Sequence, residues 1–146
     1  MKNPLKTLII DDDHGCRVIA SRFFTSVGGH KVETAENGRE GLEKAAQFRP
    51  DIILLDMNMP DMNGLEVVET LCADADTRDI PVIIITGASL TKAEQNSLKL
   101  NPNFMLLEQK PADFEELLEK IEAAISPGVR NPERREIFSE GSPEAA

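Results

Sequence analysis

An α/β domain of three layers, with a five-stranded parallel sheet doubly wound by helices, is the fold class this sequence predicts. Strand-like and helix-like segments alternate five times along the 146 residues. Apolar runs such as Ile52-Ile53-Leu54-Leu55 suit strands covered on both faces. The third observation is where polarity returns. Asp11-Asp12-Asp13 follows Leu8-Ile9-Ile10, Asp56 ends the run from Ile52, Thr86 follows Val82 to Ile85, and Lys110-Pro111 follows Phe104 to Leu107. Ligands of open parallel α/β sheets bind in the crevice beyond the carboxyl ends of the strands. Four strand ends are therefore expected to deliver carboxylates, a hydroxyl and an ammonium into one pocket.

The elements follow in order. A first strand at about 5–10 leads to a helix at about 14–27, with Asp13 as its N-cap and His14 as a surface residue of its first turn. Gly28-Gly29 stops that helix by allowing a left-handed backbone. The second strand, 31–34, precedes Asn37-Gly38-Arg39-Glu40, where a capping side chain stands three residues before a Glu. The third strand, 51–56, runs into Met57-Asn58-Met59-Pro60-Asp61-Met62-Asn63-Gly64. Here Asp61 and Asn63 read as loop residues, the three methionines as packing at the pocket rim, and Gly64 as the residue that permits the turn or closes the loop onto the next helix. The fourth strand, 81–86, precedes a second capping pattern, Thr91-Lys92-Ala93-Glu94. After the fifth strand, 104–109, Asp113-Phe114-Glu115-Glu116 opens the last helix. There Phe114, Leu117, Leu118, Ile121 and Ile125 recur at helical spacing opposite Glu115, Glu119 and Glu122. Parallel neighbours need right-handed crossovers, so five such units make a doubly wound sheet. Order is expected to end near Ile125. Residues 126–146, with three prolines, two glycines and mixed charge, read as a flexible tail in which Arg134 to Phe138 is inert rather than a partner-bound helix.

Composition narrows the function classes. A chain of this length buries one core without disulfide or metal staples. No apolar stretch approaches the roughly 20 residues of a membrane span, and the first residues lack the apolar core of a secretion signal, so a cytoplasmic protein without membrane insertion is expected. Cys16 and Cys72 lack metal-type spacing and read as reduced thiols. A formal charge of -10 argues against nucleic acid as a direct partner, since phosphate backbones require a basic surface.

Asp11-Asp12, Asp56 in Leu-Asp-Met-Asn-Met-Pro-Asp-Met-Asn-Gly, Thr86 and Lys110-Pro111, taken in that order, resemble the receiver domain of bacterial two-component response regulators. The resemblance covers residues 4 to 125. It implies a flavodoxin-like strand order 2-1-3-4-5, which places the helices bearing Cys16 and Cys72 on opposite faces. It also implies that Asp56 accepts a phosphoryl group from a histidine kinase or histidine phosphotransfer protein, with Mg²⁺ as cofactor. Asp12 and Asp56 would then ligate Mg²⁺ directly, Asn58 would add its backbone carbonyl, and Asp11 would act mainly through water. Lys110 would pair with one phosphoryl oxygen and Thr86 would donate its hydroxyl to another. Such a domain is a phosphoacceptor that promotes its own phosphorylation and dephosphorylation rather than an enzyme on a separate substrate. Clustered carboxylates that need a cation, and a transition state stabilised by positioning and charge neutralisation, agree with that chemistry.

No output domain follows residue 125 in this sequence, so a stand-alone receiver is expected, binding an unknown downstream protein target or passing the phosphate onward. One position departs from the family. Leu107 stands where receivers usually carry Tyr or Phe, three residues before the lysine. Strict alternation along the fifth strand puts Leu107 and Lys110 on opposite faces and Phe104 on the face of Lys110, so Phe104 does not replace the missing ring. That departure supports an alternative, a receiver-like adaptor that works without phosphorylation. A second alternative is a phosphohydrolase of the haloacid dehalogenase type, for which Asp11 and Asp13 supply an Asp-x-Asp after the first strand. The motif after Asp56 has no place in that family.

Overall fold

The computed structural model describes residues 4–125. The expected tail, 126–146, lies outside the described residues. Five strands, β1 (Lys6–Ile10), β2 (Lys31–Ala35), β3 (Ile52–Asp56), β4 (Val82–Thr86) and β5 (Phe104–Gln109), form one parallel sheet in the order β2-β1-β3-β4-β5. Each is followed by a helix: α1 (His14–Ser26), α2 (Gly38–Phe48), α3 (Gly64–Ala73), α4 (Lys92–Lys99) and α5 (Phe114–Ala124). The flavodoxin-like order and the doubly wound class are as expected.

Side-chain alternation divides the apolar runs between two cores. Leu8, Ile10, Ile53, Leu55, Val82 and Ile84 face Ala45 of α2, Val67, Val68 and Leu71 of α3, and Leu98 of α4. Ile9, Ile52, Leu54, Ile83 and Ile85 face Ala20 and Phe24 of α1 and Leu117, Leu118 and Ile121 of α5. The rings of Phe23, Phe24 and Phe114 join α1 to α5, with centroids 5.8–6.1 Å apart. Cys16 and Cys72 are free thiols on helices of opposite layers.

Helix starts follow the expected caps, with one addition. Asp13, Asn37, Thr91 and Asp113 each accept a backbone N–H three residues ahead, from Cys16, Glu40, Glu94 and Glu116. The reciprocal bond of a full capping box is present at Thr91 and Glu94, whereas Glu40 turns to the N–H of Glu36. Asn63, read from sequence as a loop residue, is the N-cap of α3 and forms a complete box with Glu66. Gly29 takes φ +70 behind α1, the left-handed turn its sequence suggested.

Two expectations are corrected. Met57 is not at the rim of a pocket: it is 2% exposed and belongs to the core beneath α2 and α3, with Met59 and Met62 packed against that core. Strict alternation also fails in β5. Val82 pairs with Phe104 but Ile83 pairs with Leu106, so Met105 is an extra residue in the edge strand, a bulge. Phe104 and Leu107 consequently pack on the same core, that of α2 to α4, while Met105 and Leu106 pack on the other. Phe104 thus lies away from the face of Lys110. It also lies four residues from Thr86 along the ladder, about 13 Å at strand rise.

Candidate functional site

In a parallel sheet all strands end on the same edge. The pairs Ile10 with Leu55, Asp56 with Ile85, and Thr86 with Gln109 bring the ends of β1, β3, β4 and β5 level there. Asp11 and Asp56 are nearly buried, at 7% and 8% exposure, and Asp12 beside them is exposed. One carboxylate oxygen from each of the three lies within 4.8 Å of the others.

Local backbone bonds fix Asp11. Its N–H donates to the Ala35 carbonyl at 3.0 Å, its Oδ1 accepts the Asp13 N–H at 2.9 Å, and its carbonyl accepts Arg17 Nη1 at 2.8 Å. Its Oδ2 accepts Lys110 Nζ at 2.9 Å, and the same ammonium stands 3.5 Å from Asp56 Oδ1 and 3.7 Å from Cys16 Sγ. The Lys110 N–H bonds the Thr86 carbonyl at 2.8 Å, which holds these two residues side by side. The Lys110–Pro111 peptide is cis.

The electrostatics follow from that crowding. Burial, with the neighbouring charge of Asp11, raises the Asp56 carboxyl to about 6, although Lys110 opposes the shift. Burial disfavours the charged form of Lys110, but the bond to Asp11 and the charges of Asp11 and Asp56 outweigh it and raise the ammonium above its ordinary value. Burial also raises the Cys16 thiol, although the Lys110 ammonium beside it opposes the shift.

The donor set suits a small hard cation. Octahedral Mg²⁺ with oxygens at about 2.1 Å needs ligand separations of about 3 to 4.2 Å, and the three carboxylates meet that with sub-ångström adjustment. Lys110 supplies the positive charge among them in this arrangement. Beside the acidic cluster a crevice of about 490 Å³ opens between α1 and the start of α5, floored by Ile9, Leu54 and Ile85 and edged by Cys16, Ile19 and Phe114.

The chain matches the response regulator receiver domain family over residues 7–122. It belongs to that family. The receiver is 34% identical over 119 residues to protein PilH of Pseudomonas aeruginosa, covering 82% of this chain and 97% of that one. It is 34% identical over 122 residues to response regulator MprA of Mycolicibacterium vanbaalenii, covering 84% of this chain and 51% of MprA, so it spans about half the length of that relative. Among solved structures, the chemotaxis protein CheY4 of Vibrio cholerae superimposes with a TM-score of 0.71 at 30% identity, over 81% of this chain and 96% of that one.

Within this receiver the expected site residues are not all gathered equally. Asp11, Asp12, Asp56 and Lys110 converge. Thr86 is fully buried, and its hydroxyl accepts the Ala88 N–H at 3.1 Å, so it bonds within its own loop. Asn58 is exposed in the loop after β3. Asp13 uses its carboxylate on the Cys16 N–H, which also lowers its pKa, so the Asp-x-Asp of a dehalogenase-type site is not assembled. Sequence reasoning did not foresee that Lys110 bonds Asp11. Nor did it foresee that Asp61 reaches α2, accepting the N–H groups of Gly38 at 3.0 Å and Arg39 at 2.9 Å. An Asp following Pro in a polar loop was the available signal for Asp61, but only the distant helix start gives it a partner.

Proposed function

We propose that this receiver accepts a phosphoryl group on Asp56 from a phosphohistidine of a histidine kinase or histidine phosphotransfer protein. The observation that carries the reading is the Lys110 ammonium held between Asp11 and Asp56 at the edge of a three-carboxylate cluster. An Asp56 carboxylate oxygen attacks phosphorus in line. The bond from phosphorus to the imidazole nitrogen breaks with its electron pair leaving on that nitrogen, and an acyl phosphate forms on Asp56. Asp11, Asp12, Asp56 and the Asn58 carbonyl would hold Mg²⁺, which supplies charge neutralisation at the phosphoryl oxygens. Lys110 moves its ammonium from Asp11 to one phosphoryl oxygen. The Thr86 hydroxyl, exchanging its bond with the Ala88 N–H, meets another. Gly87 and Ala88 are exposed and small, which leaves access for the donor. The described residues form a single receiver domain, and a cytoplasmic location fits a chain in which no described helix is long and apolar enough to cross a membrane.

Intact-protein mass after incubation with Mg²⁺ and acetyl phosphate tests this. A phosphoryl adduct on the wild type that is absent from Asp56→Asn is expected. An adduct of equal yield on the variant would refute the assignment. One observation favours a second reading, a phosphorylation-independent adaptor: Leu107, in place of an aromatic ring, lies half-buried against the core of α2 to α4. Partner binding unchanged by Asp56→Ala would support it.

A further inference from the structure

The loop between β3 and α3 carries Asn58, and it is fastened at two points. At its base the Gly64 N–H donates to the Met57 carbonyl at 2.7 Å. At its tip, Asp61 Oδ1 accepts the Gly38 N–H at 3.0 Å and Asp61 Oδ2 accepts the Arg39 N–H at 2.9 Å. Those amides are the first two of α2, which helix geometry leaves without an internal partner. The third, from Glu40, is taken at 2.8 Å by Asn37, the local N-cap. The first turn of α2 is therefore closed by two side chains, one from its own N-cap and one from 23 residues away. Met62, next to Asp61, lies so close over Gly38 that a Cβ there would collide with its side chain.

We infer that Asp61 is a positioning residue for the metal site, clamping the tip of the Met57–Asn63 loop to α2 so that the backbone around Asn58 is ordered before a cation arrives. The inference rests on the proposed role of the Asn58 carbonyl as a ligand. Two parallel bonds from one carboxylate fix its orientation as well as its distance. Outer residues that orient a metal's ligands commonly matter to affinity as much as to stability. A cap serving α2 alone would have no need of the loop that carries Asn58. The same amides outweigh desolvation and hold the Asp61 carboxyl below its ordinary range, so the clamp is charged at neutral pH.

The test is a comparison of Asp61→Ala with Asn37→Ala, since both strip a cap from the same helical turn but only the first frees the loop. Mg²⁺ affinity is measured by calorimetry on the full chain, and amide hydrogen exchange of residues 57–63 is measured in metal-free protein. Asp61→Ala is expected to weaken Mg²⁺ roughly 10-fold and to speed exchange in the loop, whereas Asn37→Ala lowers the melting temperature and leaves both readouts near wild type. Asp61→Asn, which keeps one acceptor, should fall between. Wild-type affinity in Asp61→Ala, or an equal loss in Asn37→Ala, would overturn the inference while leaving the metal site intact. A wild type that binds no Mg²⁺ would overturn the metal assignment itself, and the inference with it.

Discussion

Two buried polar residues far from the acidic cluster make opposite contributions. Thr7 sits on a central strand with no surface exposure, and its hydroxyl has no hydrogen-bond partner among the described residues. A buried hydroxyl without a partner costs about 1–3 kcal/mol, so Thr7→Val, of the same shape, should stabilise the domain by about 1 kcal/mol. Chemical denaturation checks this, and a lowered midpoint would count against it. His30 is buried as well but fully used. Its Nδ1 accepts the Leu5 N–H at 2.9 Å, which assigns the proton to Nε2, and Nε2 stands 2.9 Å from Glu122 of α5. The imidazole thus ties the start of β1 to the end of α5. His30→Ala should cost about 3 kcal/mol, through the orphaned amide and the cavity left behind. His30→Gln, which can both accept and donate, should recover part of that loss in the same denaturation experiment.

At the scale of the element, the loop after β3 is a tight junction closed against backbone. A Cβ on Gly64 would lie 3.0 Å from Met57 Cα and 3.1 Å from the Asp56 carbonyl oxygen, both backbone atoms that cannot swing aside. Gly64→Ala should therefore displace the strand end that carries Asp56. It should slow phosphorylation by acetyl phosphate by roughly 10-fold or more and cost about 1–3 kcal/mol of stability. An unchanged phosphorylation rate would show that the junction adapts. Elements of this kind were largely legible in the sequence. Strand ends are marked by the passage from Ile and Leu to Asp, Thr or Lys, and helix starts by a side chain that serves an amide three residues away. What sequence did not disclose is non-local or breaks a period. Asp61 finds its partners 22 and 23 residues back, and Lys110 finds Asp11 99 residues away. The bulge at Met105 has no compositional mark, because every residue from Phe104 to Leu107 is apolar and either reading of the period fits.

For the molecule as a whole, the acidic cluster sets a pH dependence. Without metal the folded Asp56 carboxyl titrates at about 6, above its unfolded value of about 3.9. Between those values the folded state binds more protons than the unfolded state, so stability falls as pH rises from about 4 to about 6 and is fully present below that window. Discounted for solvent near the site, the loss is about 1–2 kcal/mol. Asp56→Asn should therefore gain on the wild type as pH increases, in urea melts run with a chelator at pH 4.5 and 7.5. Parallel behaviour of the two proteins would contradict the shift, and saturating Mg²⁺ should erase the difference. The edge strand sets a different kind of tolerance. Loss of one residue from β1, β3 or β4 would turn the following side chains inside out. Excision of Met105 would instead restore a straight ladder, with Phe104 still opposite Val82 and Leu106 still opposite Ile83. β5 is thus a place where the chain can change length and keep its frame, a spare position at which a shorter gene would still encode the same sheet.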